Sequence, residues 1–432
     1  MNRLSSQISG RPLYIQIITM YVPAWGYGGP VRLFFDYARW LAGEFDVAVF
    51  TSDARHDLSR LSRTEVIDGV PVSRHRLWLR KLAAKSIHLL SPSLLLEGIR
   101  RIRASTGVVI IHISELRGAV PLYAVLLKRL FRRRTILVHS AFGSLHYKAS
   151  LRRRIYDKVF TKLLFNAVDL RLAQNDHEKA VYSEWCRQYG ISAQANIRLF
   201  PLHLDGMAAG CGRLGAAGKN RQMVAEVRMQ YGVPQDARVF IFLGRLHVAK
   251  GILRAIDVFL EFARRVEPNS MLLIVGADYG FQQSVERYIL ERNAGERVRV
   301  VNNVYETRFD YYFLADVFLG FPTIFEETML SSVEAMGCGT PIIVSREADA
   351  PFVEEEGAGH VIDFDVNTAV EAMAAVVRQL PDYEVRAHAT AARHFSGASA
   401  APALLALLRE AAASHSDAGR GVAEVNEHLS TR

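Results

Sequence analysis

Short apolar segments alternate with longer amphipathic segments along this chain, and the alternation runs through twice. In the first half, Leu13–Met20, Val108–Ile113 and Thr135–Val138 have the length and composition of buried strands, and helical patterns separate them. A second series begins at Val239–Leu243. Apolar runs separated by helices are typical of parallel sheets whose two faces are both covered. The sequence therefore predicts the α/β class, with two Rossmann-like doubly wound domains facing a central cleft.

The chain length of 432 residues exceeds what one hydrophobic core usually organises, which agrees with two domains. We predict an N-terminal domain over residues 1–205 and a C-terminal domain over residues 235–395. The segment 206–234, rich in Gly and Ala and then polar, is the predicted interdomain connection. Residues 396–432 are predicted to form a C-terminal helix and a flexible tail.

Positive charge is concentrated in the first half of the chain. Between Leu79 and Lys162, eighteen basic residues face three acidic ones, a net charge of +15 in a chain whose total is +9. Such a segment predicts an anionic partner, either phospholipid or nucleic acid. Within Leu77–Leu96, basic residues mix with leucines and Trp78. That stretch fits either a helix lying on a membrane surface or an amphipathic helix pair packed on the sheet.

Three scattered cysteines, Cys186, Cys211 and Cys338, form no CxxC pair. They predict neither a disulfide framework nor a zinc site, and they indicate a reducing cytosol. No run of about 18 apolar residues occurs, so we expect no transmembrane helix. We therefore expect a cytoplasmic protein.

Two carboxylates stand eight positions apart in the second half. The apolar run Val317–Phe321 predicts a strand, and a helix is expected from near Thr328 to Cys338. Glu326 then lies at the carboxyl end of the strand, and Glu334 about two turns into the helix on the same side. In open α/β sheets, ligands bind at that end of the strands. The free N–H groups of the first helical turn would suit a phosphate or a sugar hydroxyl.

Two cations flank an earlier turn between strand and helix. Arg245 follows the strand Val239–Leu243, and Lys250 precedes the next helix. Alone, such a pair is more often a set of solvated surface charges. Together with Glu326 and Glu334, however, it suits a nucleotide-sugar, because cations hold a diphosphate while carboxylates accept hydrogen bonds from hydroxyls.

Histidine and glycine near strand ends are the candidates in the first half. His139 follows a strand and precedes a loop of small residues, which favours a functional role. His112, in the preceding strand, is better explained as a structural hydrogen-bonding group. The glycine-rich first loop, which includes Gly29, lacks the GxGxxG pattern, so no dinucleotide site is indicated.

Several ordered motifs resemble those of the GT4-type retaining glycosyltransferases of the GT-B fold, also called glycosyl transferases group 1. The resemblance rests on Gly244-Arg245-Leu246, Lys250-Gly251, the spacing of Glu326 and Glu334, Gly339-Thr340-Pro341 and, in the first half, Gly28-Gly29-Pro30, His139 and Glu178. One departure stands out: where the family commonly has Gly-Phe-Gly after the first carboxylate, this chain has Glu327-Thr328-Met329.

The resemblance implies a role for each candidate residue. Arg245 and Lys250 would bind the diphosphate and stabilise the departing nucleotide. Glu334 would bind the ribose, and Glu326 would contact the donor sugar. His139 would lie near the anomeric carbon. Gly29 would lie under the diphosphate, and the loop residues Glu327, Thr328, Met329 and Leu330 complete the predicted donor-binding set.

The resemblance also implies a reaction. A sugar would pass from a UDP- or GDP-sugar, bound by the C-terminal domain, to a glycan or lipid-linked acceptor bound by the N-terminal domain. The anomeric configuration would be retained, without a metal or a further cofactor. We expect a role in cell-surface polysaccharide synthesis and peripheral contact with the anionic inner face of the cell membrane. The DxD triplet Asp363-Phe364-Asp365 lies far from these motifs, and we expect no metal role for it.

Two other classes of protein remain open. A non-hydrolysing sugar-nucleotide epimerase would use the same donor site without an acceptor, but an epimerase has no need of a basic, membrane-facing half. A nucleic-acid-binding protein on a Rossmann-like scaffold would explain the positive charge. No RRM, KH, zinc-finger or helix-turn-helix pattern accompanies that charge, so we expect no nucleic-acid partner.

Overall fold

The computed structural model describes residues 11–19, 29–54, 59–78, 91–146, 151–191, 196–203, 214–215, 218–302, 307–327 and 329–430. The chain divides into two compact units, the first comprising Met1–Pro201 with Ala398–Arg432, and the second comprising Leu202–Gly397. No helix within the described ranges is both long and apolar enough to span a bilayer.

The first unit is built on an eight-stranded sheet of order β3-β4-β2-β1-β5-β6-β7-β8, parallel except for the β3–β4 hairpin at one edge. The strands are β1 Leu13–Ile17, β2 Asp46–Ser52, β3 Thr64–Ile67, β4 Val70–His75, β5 Val109–Ile113, β6 Thr135–Ser140, β7 Leu170–Ala173 and β8 Ile197–Leu199. The α-helices are α1 Gly29–Leu41, α2 Pro92–Ala104, α3 Ala119–Leu130, α4 Leu151–Tyr156, α5 Lys162–Ala167 and α6 Asp176–Tyr189, and a π-turn, Asp157–Thr161, joins α4 to α5.

Apolar side chains cover both faces of this sheet. Helices α2, α3, α5 and α6 pack on one face. Helix α1 packs on the other, together with Leu404, Leu408 and Ala411 of the C-terminal helix α15, Gly397–Ser430. At this end the sequence predicts a C-terminal helix and a flexible tail, and α15 extends to Ser430. Its Ala- and Leu-rich first turns are anchored by packing, and helix formation propagates readily from an anchored segment.

The second unit has a six-stranded parallel sheet of order β13-β12-β11-β14-β15-β16, and a two-stranded ribbon, β9 Leu214–Gly215 with β10 Gly218–Lys219. The strands of the large sheet are β11 Arg238–Leu243, β12 Ser270–Val275, β13 Val298–Val301, β14 Val317–Gly320, β15 Ile342–Ser345 and β16 Gly359–Ile362. The helices are α7 Arg221–Gln230, α8 Ile252–Arg265, α9 Gln282–Glu291, α10 Arg308–Leu314, α11 Leu330–Gly337, α12 Phe352–Glu355, α13 Val366–Arg378 and α14 Leu380–Phe395.

The two large sheets each contain one point where the strand order reverses. In the first unit β1 lies between β2 and β5, and in the second unit β11 lies between β12 and β14. Successive crossovers leave such a point in opposite directions, so the loops after its two strands diverge and leave a crevice. The crevice is therefore next to β1 and β5 in the first unit, and next to β11 and β14 in the second.

Candidate active site

An ion pair lies at the strand-order reversal of the second unit. Lys250 ends the short 3-10 turn after β11, and Glu326 lies in the loop after β14. The Lys250 ammonium nitrogen lies 2.6 Å from one carboxylate oxygen of Glu326 and 2.8 Å from the other. The two side chains keep 18% and 15% of their exposure, so the pair is shielded from water yet open to a ligand. The structure thus brings together one predicted cation and one predicted carboxylate.

Gly251 explains why these two loops meet. Its φ is +67°, and a Cβ atom there would lie 1.7 Å from the carbonyl oxygen of Phe321, at the end of β14. Only glycine fits so close an approach with that backbone conformation. The loops are also joined directly, since the main-chain N–H of Thr323 donates to the carbonyl of Ala249 at 2.9 Å. The absence of a side chain at Gly251 therefore allows the loop that carries Lys250 to lie against the end of β14, close to Glu326.

Glu334 is buried on α11 and has partners of its own. The guanidinium of Arg308 donates to one carboxylate oxygen at 3.0 Å, and the Tyr312 hydroxyl donates to the other at 3.1 Å. Burial, with a contribution from the Glu334 charge, raises the pKa of Tyr312 far above its usual range, so the hydroxyl remains a donor. Each carboxylate oxygen has a second lone pair, which leaves room for ligand hydroxyls. Sequence reasoning missed Arg308, because no spacing pattern links it to the E-x7-E motif.

Arg245 is exposed at the same edge of the sheet, and its guanidinium lies over the ring of Tyr279, 5.3 Å from the centroid. No carboxylate among the described residues forms an ion pair with it. Arg245 therefore does not join the Lys250–Glu326 pair in this structure, although Arg245 and Lys250 both follow β11. An exposed guanidinium held on an aromatic face is available to an anionic ligand.

The loop between Glu326 and α11 carries the other predicted donor-binding residues. Glu327 and Leu330 are half-buried, and Thr328 lies outside the described residues. Met329 is buried, and its side chain occupies the space where a Cβ atom on Gly320 would lie. The side chain of Met329 is thus part of the packing under the loop, which leaves its main chain as the part that can face a ligand.

In the first unit, His139 lies on β6 and is 1% exposed. Its Nδ1 is 2.8 Å from the hydroxyl of Tyr182, and its Nε2 has no hydrogen-bond partner in the described part of the chain. Burial, helped by the charge of Arg171 on the neighbouring strand, lowers the pKa of His139 to about 3. The imidazole is therefore neutral at physiological pH, with one ring nitrogen unused.

The loop after His139 is shaped by Glu178. One carboxylate oxygen of Glu178 accepts the N–H of Gly143 at 2.7 Å, and the other accepts the N–H of Gln174 at 2.8 Å. Phe142, at the apex, has a left-handed φ of +47°. A non-glycine residue in that conformation is uncommon and typical of functional loops. Gly29 is half-buried and begins α1.

His112 and Asp365 have structural roles. Both ring nitrogens of His112 lie 2.8 Å from hydroxyl oxygens, those of Tyr14 and Ser140, inside the core. Asp365 is the N-cap of α13, where its carboxylate accepts the N–H of Thr368 at 2.9 Å. N-capping accounts for this part of the DxD triplet without a ligand.

Comparisons with known proteins identify a family for the second unit and relatives for the fold. Residues 224–392 match the family model described as glycosyl transferases group 1. This part of the chain belongs to the glycosyl transferases group 1 family. The resemblance predicted from the motifs is confirmed over the domain that carries Arg245, Lys250, Glu326 and Glu334.

Curated relatives of this chain include two proteins described as D-inositol 3-phosphate glycosyltransferases. D-inositol 3-phosphate glycosyltransferase 2 of Catenulispora acidiphila is 30% identical over 255 residues, covering 55% of each chain. The D-inositol 3-phosphate glycosyltransferase of Corynebacterium efficiens is 29% identical over 214 residues, covering 46% of this chain and 49% of the relative. The chain thus spans about half the length of the curated relatives it matches.

Solved structures with the same fold extend over nearly the whole chain. Sucrose-phosphate synthase from Thermosynechococcus elongatus has a TM-score of 0.69 at 20% identity, covering 94% of this chain and all of that one. The Anabaena protein HepE in complex with UDP-glucose has a TM-score of 0.69 at 15% identity, covering 92% and 99%. The predicted fold, two Rossmann-like units of the GT-B type, is confirmed.

Proposed function

We propose that this protein is a glycosyltransferase that moves a sugar from a nucleotide-sugar onto a glycan or lipid-linked acceptor. The observation that carries the proposal is the Lys250–Glu326 pair at the strand-order reversal of the group 1 domain. A cation and a carboxylate side by side suit a ligand with a phosphate next to sugar hydroxyls. The donor is a UDP- or GDP-sugar; the HepE complexes, which contain UDP and UDP-glucose, support the first.

In this proposal, different residues of the second unit bind different parts of the nucleotide-sugar donor. Lys250 and Arg245 hold the diphosphate, and Glu334 accepts hydrogen bonds from the ribose hydroxyls. Glu326 contacts the donor sugar, and the main chain of Met329 and Leu330 faces the same ligand. Departure of a nucleoside diphosphate builds negative charge, and cations already in place where it develops lower the barrier.

In the first unit we assign His139 a role at the donor sugar, near its anomeric carbon. A neutral imidazole can exchange a hydrogen bond with a hydroxyl without adding charge, which suits contact with a sugar. Gly29, at the start of α1, is the proposed contact with the diphosphate. Retention of configuration, reaction without a metal, and an acceptor bound by the first unit complete the proposal.

We further propose that the protein acts in the cytoplasm, in peripheral contact with an anionic membrane, in cell-surface polysaccharide synthesis. Support comes from the +15 segment between Leu79 and Lys162. Most of the mixed stretch Leu77–Leu96, where the sequence suggests membrane contact, lies outside the described residues; Trp78 at its start is exposed.

Thermal-shift measurements with UDP-, GDP- and ADP-sugars test the donor site, because a bound ligand raises the apparent stability by mass action. We expect one nucleotide class to raise the melting temperature of the wild type but not of Lys250→Ala or Glu334→Gln. Glu261→Gln, on the outer face of α8, is the control for the lost carboxylate charge. Equal shifts in all four proteins would reject the site.

Transfer itself is tested by incubating the donor with and without candidate acceptors. Release of nucleoside diphosphate that depends on acceptor supports transfer. Formation of an epimer of the donor without any acceptor would instead indicate a sugar-nucleotide epimerase.

A further inference from the structure

The segment α4–π-turn–α5 presents large apolar side chains to solvent. Leu151, Ile155 and Val159 follow one another at four-residue spacing and are 74%, 61% and 51% exposed; Phe160 beside them is 39% exposed. Residues four apart lie on one side of a helix, so the first three form a continuous stripe. Burying such a stripe would be favourable, and contiguous exposed apolar surface usually marks an interaction site.

The π-turn holds this stripe outward. Asp157 faces inward, where both carboxylate oxygens accept hydrogen bonds from the guanidinium of Arg117 at 2.8 Å, and the Thr161 hydroxyl donates to one of them at 2.8 Å. Asp157 and Thr161, four residues apart, both point into the protein, and Ile155 and Val159, also four residues apart, lie on the outer side. The exposed arrangement is therefore anchored by buried polar contacts.

Positive charge surrounds the apolar stripe. Arg153, Lys158 and Lys162 are exposed along the same segment, and the buried Asp157 is the sole acidic residue between Leu151 and Lys162.

We propose that the outer side of α4 and the π-turn docks on an anionic phospholipid bilayer. Apolar side chains would enter the boundary between headgroups and acyl chains, while the flanking Arg and Lys side chains contact lipid phosphates. This charge pattern selects a bilayer over a protein groove, which would have to supply both an apolar surface and many acidic groups. Nucleic acid fits less well, because it offers no apolar surface for the stripe. The inference goes beyond the donor chemistry and assigns membrane contact to a surface outside Leu77–Leu96.

Co-sedimentation of the full-length protein with vesicles tests the docking surface. We expect binding to vesicles of phosphatidylglycerol mixed with phosphatidylcholine, and little binding to phosphatidylcholine alone. The double substitution Ile155→Glu/Val159→Glu should abolish vesicle binding. Arg153→Gln/Lys158→Gln should weaken it by about fivefold for each basic residue near the surface at low salt.

Matched substitutions on the second unit serve as controls. Leu290→Glu, at a side chain 73% exposed, and Arg287→Gln, also exposed, should leave vesicle binding unchanged. Circular dichroism and the thermal shift by the donor nucleotide, measured without vesicles, should be the same in every variant, which separates this proposal from the proposed transferase function. Unchanged vesicle binding in Ile155→Glu/Val159→Glu, equal binding to neutral vesicles, or salt-sensitive RNA binding without vesicle binding would overturn it.

Discussion

The Lys250–Glu326 pair leads to a prediction in which nucleotide binding and sugar transfer change in opposite directions. In the structure the Lys250 ammonium is held by both carboxylate oxygens, at 2.6 and 2.8 Å. A donor diphosphate must share or displace that contact. Glu326→Gln removes the competing charge, so Lys250 should bind the phosphates of UDP more tightly. The same change removes the proposed contact with the donor sugar, so transfer should slow.

The magnitudes follow from the strength of the contact. A hydrogen bond to a charged group contributes about 1.5–3 kcal/mol, and the glutamine amide keeps one acceptor oxygen. If about 1 kcal/mol of the competition is lost, the dissociation constant of UDP should fall about fivefold. Loss of a charged hydrogen bond to the sugar should lower the transfer rate about tenfold to a hundredfold.

Isothermal titration with UDP measures the first effect, and initial rates with the donor chosen by thermal shift measure the second. Glu261→Gln is the matched control, since it removes the same charge from an exposed pair with Arg264 at 2.6 Å. Weaker UDP binding by Glu326→Gln, with Glu261→Gln unchanged, would refute the idea that Lys250 exchanges a carboxylate for the diphosphate.

Three further predictions concern the supports of the site. Arg308→Ala leaves the buried Glu334 carboxylate without its cation, so it should lower the free energy of unfolding by about 3–5 kcal/mol and weaken the binding of ribonucleotides. Urea titration measures the loss of stability, and titration with UDP measures the loss of affinity. An unchanged affinity for UDP would argue against a role of Glu334 in binding the ribose. Gly251→Ala should lower the free energy of unfolding by several kcal/mol, about 2 kcal/mol or more beyond the effect of Gly280→Ala. Both glycines have a positive φ, but only at Gly251 would the new Cβ lie 1.7 Å from a carbonyl oxygen. Equal losses of stability in urea titrations of the two variants would contradict this. The His139 pKa of about 3 keeps the folded imidazole neutral, whereas the unfolded one binds a proton below about pH 6.5. The free energy of unfolding should therefore fall as the pH drops from about 6.5 towards 3, by up to about 1.4 kcal/mol per pH unit. His139→Gln should reduce the pH dependence of the free energy of unfolding by the equivalent of one proton, and an unchanged pH dependence would contradict the assignment.

Strand and helix positions were largely predictable because they follow local periodicity. The predicted strand Val317–Phe321 corresponds to β14, which ends one residue earlier, and β11 begins one residue before the predicted strand Val239–Leu243. Periodicity did not reveal the π-turn Asp157–Thr161 between α4 and α5. Asp157, within that turn, pairs with Arg117, forty positions earlier, and no local pattern carries such a contact.

The candidate site was predictable where its residues follow strands of one sheet. Lys250 and Glu326 could be expected to meet, because the carboxyl ends of parallel strands share an edge. The position of Arg245 over Tyr279 could not, since the reach of a long side chain depends on its neighbours. The residues that hold Glu334 were equally hidden, because α10 meets α11 only after the sheet has formed.

The amino-acid sequence alone predicts the alternation of strands and helices, the division into two α/β series and the concentration of positive charge. These features depend only on local residue spacing and composition, so they can be recognised without knowing which distant residues are in contact. The tertiary structure alone decided which charges became paired, which histidine kept an unused nitrogen and which apolar side chains stayed in water. Those outcomes depend on contacts between residues distant in the chain, whose strength is set by burial and geometry that only the packed fold provides.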